Sequence, residues 1–312
     1  MCNTERAMFD YRMKQLLFTY LHQPSMLHRS TIQLLRLPFS FFLMPVYWFA
    51  ISTISVISVP KAVLIFIILH LLVYPSSNGY NSYMDRDEGA IGGIAHPMQP
   101  TKQLFQATVF LDGIAIFLSF FIHLSFAVAI IMYIIFSRLY SYRNIRLKQY
   151  PVIGYLTVVL NQGALSFWMV YVGANAVTTS VCPTVACVAA TFLIGGFYPI
   201  TQVYQHEADR KDGVQTISIL LGVRGTFIWC AAMYAIAFGL LFVYYQSVYQ
   251  IAHFFLLQLF FIPVLVYFFY WANKVWQNSR NANFTYTMRM NWLAAFCTNT
   301  AFITLTILQH FG

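Results

Sequence analysis

Tyr74-Pro75-Ser76-Ser77-Asn78-Gly79-Tyr80-Asn81-Ser82-Tyr83-Met84-Asp85-Arg86-Asp87-Glu88-Gly89 decides how this chain is read. It starts within an apolar run and ends in three acids. A second copy follows: Tyr198-Pro199-Ile200-Thr201-Gln202-Val203-Tyr204-Gln205-His206-Glu207-Ala208-Asp209-Arg210-Lys211-Asp212-Gly213. Tyr74, Pro75, Tyr80, Asp85, Arg86 and Gly89 are matched by Tyr198, Pro199, Tyr204, Asp209, Arg210 and Gly213. In the first copy Asn78, Asn81 and Asp85 recur at i, i+3, i+7, one face of a helix. Gln202, Gln205 and Asp209 repeat that face in the second. Each helix is therefore expected to carry a stripe of oxygen ligands. Two facing stripes make a site for a divalent cation and, through it, a polyphosphate. Polar stripes inside apolar helices are expensive, which argues against idle helix ends.

The rest of the chain explains why those helices are apolar. Hydrophobic residues make up 59% of it and charged residues 9%, with a mean hydropathy of +0.64. Soluble domains carry about a quarter charged residues, so the composition is that of an all-α integral membrane protein. A membrane helix takes about twenty apolar residues. Nine segments qualify, at about 34–58, 61–82, 104–122, 124–141, 151–172, 183–206, 225–246, 250–273 and 290–310. The first thirty residues mix charges with aromatics and lack the apolar core of a cleavable signal, so residues 1–33 are expected to lie at the membrane interface. Residues 1–312 then form a single polytopic domain, with motif helices 2 and 6 related by an internal repeat.

Loop charges orient this bundle. With the N-terminus inside, the inner loops hold Arg86 and Lys102; Arg138, Arg143, Arg146 and Lys148; Arg210, Lys211 and Arg224; and Lys274, Arg280 and Arg289. The N-terminal region adds Arg6, Arg12, Lys14, Arg29 and Arg36, while the outer loops hold Lys61 alone. This asymmetry is the positive-inside pattern of a multi-pass protein of the cytoplasmic (inner) membrane. It accounts for the net charge of +9 without nucleic acid, leaving anionic lipids and an anionic substrate as partners. Both acidic clusters fall on the same inner side. Loops 83–103 and 207–224 are thus expected to lie over the site. In the first, His96 and Lys102 are either phosphate contacts or plain loop residues. The amphiphilic stretch after Gly213 could serve as a lid. Cys182 and Cys187 flank a helix start on the opposite side, where they either pair or simply pack.

Asn81-Ser82-Tyr83-Met84-Asp85-Arg86 resembles the first Asp-rich motif of the UbiA superfamily of intramembrane prenyltransferases, Asn-Asp-x-x-Asp-x-x-x-Asp. Glu207-Ala208-Asp209-Arg210-Lys211-Asp212-Gly213-Val214-Gln215-Thr216, with Leu221-Gly222 downstream, resembles the second, Asp-x-x-x-Asp-Arg-x-x-Gly-x-x-Thr followed by Leu-Gly. The resemblance implies Mg²⁺-dependent transfer of an isoprenyl group from an isoprenyl diphosphate to an aromatic or lipidic acceptor within the membrane. It implies that Asn81 and Asp85 hold one Mg²⁺ and Asp209 the other, and that Arg146 or Lys148 meets the diphosphate. Such chemistry needs the leaving group's growing charge neutralised by metal and cations.

The chain departs from the pattern: Gly89 stands at the last Asp of the first motif and Gln205 at the first Asp of the second. Asp87, Glu88, Glu207 and Asp212 are the neighbouring acids that could substitute. The resulting candidates are Asp85, Asp209, Lys148 and Asp112 for catalysis. Asn78, Arg86, His96, Lys102, Arg146, Gln202, Arg210 and Lys211 are candidates for substrate binding, and Asn81, Asp85, Glu88, Gln205, Asp209 and Asp212 for the metal. Asp112, inside the third segment, either serves an acceptor or cation or binds a neighbouring helix. His70 reads as a packing histidine. Two other functions share these features: a UbiA-type terpene cyclase acting on the diphosphate alone, and a non-enzymatic transporter or isoprenoid-binding protein, although transporters place their sites nearer the midplane.

Overall fold

Where water is excluded, a backbone satisfies its polar groups within helices, and the apolar segments fold accordingly. The computed structural model of the chain describes residues 27–177 and 181–311. Among the described residues nine long helices follow one another: α1 Arg29–Ser52, α2 Val59–Asp85, α3 Lys102–Ser119, α4 Leu124–Ser141, α5 Pro151–Ala174, α6 Thr184–Gln202, α7 Ile217–Ser247, α8 Ile251–Gln277 and α9 Phe284–Phe311. Eight are long and apolar enough to cross a membrane; α3, which contains Lys102 and Asp112, is not among them. All nine expected segments are helical, so the count of nine holds for helices and eight for strongly apolar ones. Residues 1–26, most of the expected interfacial segment, lie outside the described residues.

Each helix packs on its sequence neighbour, and α9 returns to α1 to close the ring. Across the middle, α1 and α2 pack on α5. There Phe49 stacks on Phe302 with ring centroids 4.5 Å apart and meets Phe167 edge-on at 5.0 Å. The outer face exposes Phe110, Phe117, Phe121, Leu259, Phe269 and Phe296, as a lipid-facing surface requires. His70 is buried among the rings of Tyr47, Phe66 and Tyr74. Cys182 and Cys187 are free thiols in mutual hydrogen-bond contact.

The two motif helices turn out differently. Pro75 supplies no N–H, and a π turn at Ile67–Val73 lies immediately before it. The helix then resumes and runs to Asp85, where Arg86 adopts φ +53 and ends it. Gly79 lets α2 approach its neighbours: a Cβ there would lie 2.9 Å from Thr108 and 3.0 Å from Leu35.

In α6, Pro199 opens a 3₁₀ stretch, Pro199–Gln202, followed by a turn and a short helix, His206–Lys211. The β-branched Ile200, Thr201 and Val203 favour the break, and the Thr201 hydroxyl takes the Tyr198 carbonyl at 2.7 Å. Gln202, Gln205 and Asp209 therefore do not share one continuous helical face, which corrects the spacing argument for the second copy. After Gly213, Ile217–Leu221 forms a short helical segment capped by Thr216, and a non-helical Gly222, φ +69 and ψ 171, sets it off from the rest of α7.

Candidate active site

The ends of α2, α4 and α6 and the starts of α5 and α7 converge around a cavity of about 190 Å³. α2 supplies Ser77, Asn78, Asn81 and Asp85; the loop after it supplies Asp87, Ile91 and Gly92. From the second motif come Tyr198, Gln202, Tyr204, Gln205 and Asp209. The loop between α4 and α5 contributes Lys148. Asp85 is the hub. Its Oδ2 lies 2.7 Å from the Lys148 ammonium and accepts from Asn81 Nδ2 at 2.7 Å, while Arg146 stands 3.7 Å from Oδ1. Asn81 also donates to Ser141 at 3.1 Å.

Arg36 enters from α1, where Leu37-Pro38 interrupts the helix and Arg36 takes φ +49. Its guanidinium donates to the Asn78 carbonyl at 3.0 Å and to Asn81 Oδ1 at 3.3 Å. Read from sequence as a loop charge, it is a buried wall of the site.

Tyr140 and Tyr198 share a 2.5 Å hydrogen bond, and Gln202 Nε2 donates to the Tyr198 hydroxyl at 2.9 Å. That leaves Gln202 Oε1 buried without a hydrogen-bond partner in the protein, as are Asp85 Oδ1 and Asn78 Nδ2. Gln205 donates to the Ala90 carbonyl at 3.3 Å and so ties the second motif to the loop after the first.

The carboxylates repel one another. Burial pushes Asp209 up to about 6; Lys148 pulls it down, while Asp87, Asp85 and Asp212 add repulsion. Burial also raises Asp87, Asp85 repelling it and Lys148 and Arg36 opposing. A group of mutually repelling carboxylates beside unpartnered oxygens suits a cation. Among the described residues no three His, Cys, Asp or Glu side chains group as a ready metal cage. The donor set of Asp85, Asp87, Asp209, Asn81, Gln202 and Gln205 is all oxygen and suits Mg²⁺, which typically takes one or two carboxylates and completes its shell with water and phosphate.

Several expected residues stand elsewhere. Asp112 accepts from Arg138 in a close ion pair and from Ser76 at 2.6 Å, between α3, α4 and α2. It does not line the cavity, and the expected acceptor or cation role gives way to bracing helices. Asp212, expected among the metal ligands, accepts from Arg146, lies 3.4 Å from Arg143 and is not among the residues lining the cavity. Arg146 is thereby held at the rim, with its Nη1 also donating to the Asp212 carbonyl at 3.0 Å.

Glu88 and Arg86 are exposed beyond the left-handed turn that ends α2, outside the lining. His96, Lys102, Arg210 and Lys211 are exposed as well, and Lys211 pairs with Glu207 at 2.7 Å. The sequence reading missed Arg36, Tyr140, Asn161, Gln162 and Asn291 as lining residues and gave Tyr198 no role. Amides interrupting apolar segments were the available signal.

Beside this cavity lies an apolar chamber of about 70 Å³ between α1, α6, α7, α8 and α9. Phe42, Ile194 and Phe197 line both spaces. A polar mouth with carboxylates and cations thus adjoins a dry aromatic space.

Residues 42–295 match the UbiA prenyltransferase family. No curated protein matches the chain by sequence. Among solved structures, a UbiA homologue from Archaeoglobus fulgidus bound to DMAPP and Mg²⁺ superposes with a TM-score of 0.65 at 20% identity, covering 89% of this chain and 99% of that one. The same homologue bound to GPP and Mg²⁺ gives 0.63 at 18%, with 89% and 99% covered. The apo structure of a UbiA homologue from Aeropyrum pernix K1 gives 0.65 at 15%, with 86% and 98% covered. These likenesses establish the fold.

Proposed function

The chain belongs to the UbiA prenyltransferase family, and from that premise we propose that it transfers an isoprenyl group from an isoprenyl diphosphate to a lipophilic acceptor inside the membrane, with Mg²⁺ bound at the cavity. The observation that carries this reading is the meeting of the two motifs at one polar cavity continuous in its walls with an apolar chamber. That shape fits a charged head on a hydrocarbon tail. Asp87, Asp209, Asn81, Gln202 and Gln205, with Asp85, would hold Mg²⁺, which when bound screens the diphosphate charge and eases its departure. Lys148 and Arg36 hold positive charge inside the cavity, and Arg146 adds a cation at its rim. The Phe42 and Phe197 rings and the Tyr140–Tyr198 pair shut bulk water away from the allylic carbon.

In this reading the loops around Asp87 and Gly213 face the cytoplasm, as the loop charges favour, and the diphosphate enters from there. Archaeoglobus structures with GPP and DMAPP support a prenyl diphosphate as the donor class. The test is to incubate purified protein with Mg²⁺ and farnesyl or geranylgeranyl diphosphate and follow pyrophosphate release. Release that disappears with EDTA and in Asp85→Ala is the expected result; no release with any donor length or acceptor pool would sink the proposal.

A further inference from the structure

Asn291 sits in α9 at 0% exposure, and its side chain lines the cavity. Neither Oδ1 nor Nδ2 has a hydrogen-bond partner in the protein. Its neighbours on the helix face other ways. Met290 and Ala294 line the apolar chamber, and Trp292 packs on Phe41 and Phe42. Asn291 therefore stands at the seam between the two spaces, both of which Phe42 also borders. A buried amide with both halves unanswered is costly, and apolar α9 had many cheaper residues to offer. Such a group is retained where a ligand answers it.

The amide fixes what kind of ligand. It presents one acceptor and a donor pair, so it suits a group that also donates and accepts. A hydroxyl does both. A carboxylate would set an anion against Oδ1, and an ether would leave Oδ1 unanswered. Of the cavity cations, Lys148 is paired with Asp85 and Arg36 donates to the Asn78 carbonyl and to Asn81 Oδ1, and neither bonds Asn291. Across the cavity Asn161 and Gln162, at a π turn in α5, add further neutral amides. We infer that Asn291 binds the head of the acceptor, and that this head is an uncharged hydroxyl, phenolic or alcoholic, on a lipophilic body. The inference rests on the prenyl-transfer reading and names its acceptor class.

The test uses the full chain in detergent, with and without Mg²⁺ and pyrophosphate. The probes are a naphthol, its methyl ether, the matching naphthoic acid and decanol, with affinities measured by calorimetry. Naphthol or decanol should bind at least about tenfold more tightly than the ether and the acid, because a site built to bond a hydroxyl rejects analogues that lack it. The two hydroxyl probes tell phenol from alcohol. Asn291→Leu should erase the preference and raise the unfolding temperature, since the unanswered amide is gone. A structural amide would instead lower that temperature.

Equal binding of the ether, tight binding of the acid, no binding of either hydroxyl probe, or a preference that survives in Asn291→Leu would each overturn the assignment. If the leucine variant does not fold, Asn291→Ser should weaken the hydroxyl probes severalfold, and unchanged affinity overturns it equally. Absence of pyrophosphate binding in the wild type would count against the prenyl-transfer reading alone, because the hydroxyl preference is also measured without pyrophosphate.

Discussion

Lys148 and Asp85 face each other at 2.7 Å, both almost wholly buried. Removing one partner leaves an unpaired buried charge, which typically costs about 3–5 kcal/mol. Lys148→Met should therefore lower thermal stability in detergent and weaken pyrophosphate binding. Adding Asp85→Asn should restore the stability but not the binding. Asp209 gives a pH signature. Its carboxyl is held near 6, against an ordinary value of about 3.9, so the cation-free fold binds that proton more tightly than the unfolded chain does. Stability of the cation-free protein should fall as pH rises between those values and level off above the upper one. Mg²⁺ with pyrophosphate should bind progressively less well below about pH 6, measured by calorimetry, and Asp209→Asn should make that limb shallower than in the wild type under the same conditions. Asp85 and Asp209 were legible because acids in apolar surroundings stand out. Asp87 was harder to rank. At Arg86 the backbone turns left-handed, helical face arithmetic stops, and Asp87 turns inward while Glu88 turns out. Arg36 was hidden because its place depends on the break at Pro38 and on a contact with α2 far along the chain.

At the level of elements, the first motif was readable as a helix and the second only as a set of residues. Ile200, Thr201 and Val203 convert α6 into a 3₁₀ stretch and a turn, yet Gln202, Gln205 and Asp209 still reach the cavity. Their convergence depends on packing against α2 and its loop, which spacing alone does not encode. Close packing of α2 is itself testable. Gly79→Leu would drive a side chain into Thr108, Leu35 and Leu104 and should destabilise by roughly 1–3 kcal/mol, read as a lowered unfolding temperature. The loop between α4 and α5 acts as a clasp. Arg143 donates to the last carbonyls of α2, at 2.7 Å from Met84 and 3.1 Å from Asp85, and both Arg143 and Arg146 hold Asp212. If Asp212 merely occupies Arg146, Asp212→Asn frees that cation and should tighten pyrophosphate binding severalfold. A metal-ligating Asp212 would give the opposite sign in the same titration.

At the scale of the molecule, the nine helices of the described residues form a ring that α9 closes on α1, and the cavity and chamber lie within it. Length and composition disclosed the helices; closure of the ring and the adjoining chamber did not, because both arise from contacts between the first and last helices. Since the site joins elements from α1 to α9, Mg²⁺ with pyrophosphate should raise the unfolding temperature of the entire bundle by mass action. The Arg138–Asp112 pair bears on how such a bundle is made. α3, with Lys102 and Asp112, falls short of the apolarity that marks the other eight helices, whereas α4 brings the arginine that answers the aspartate. Without α4, α3 would carry into lipid a carboxylate held by Ser76 of α2 but lacking its counter-charge. The pairing therefore favours entry of α3 and α4 into the bilayer as a hairpin.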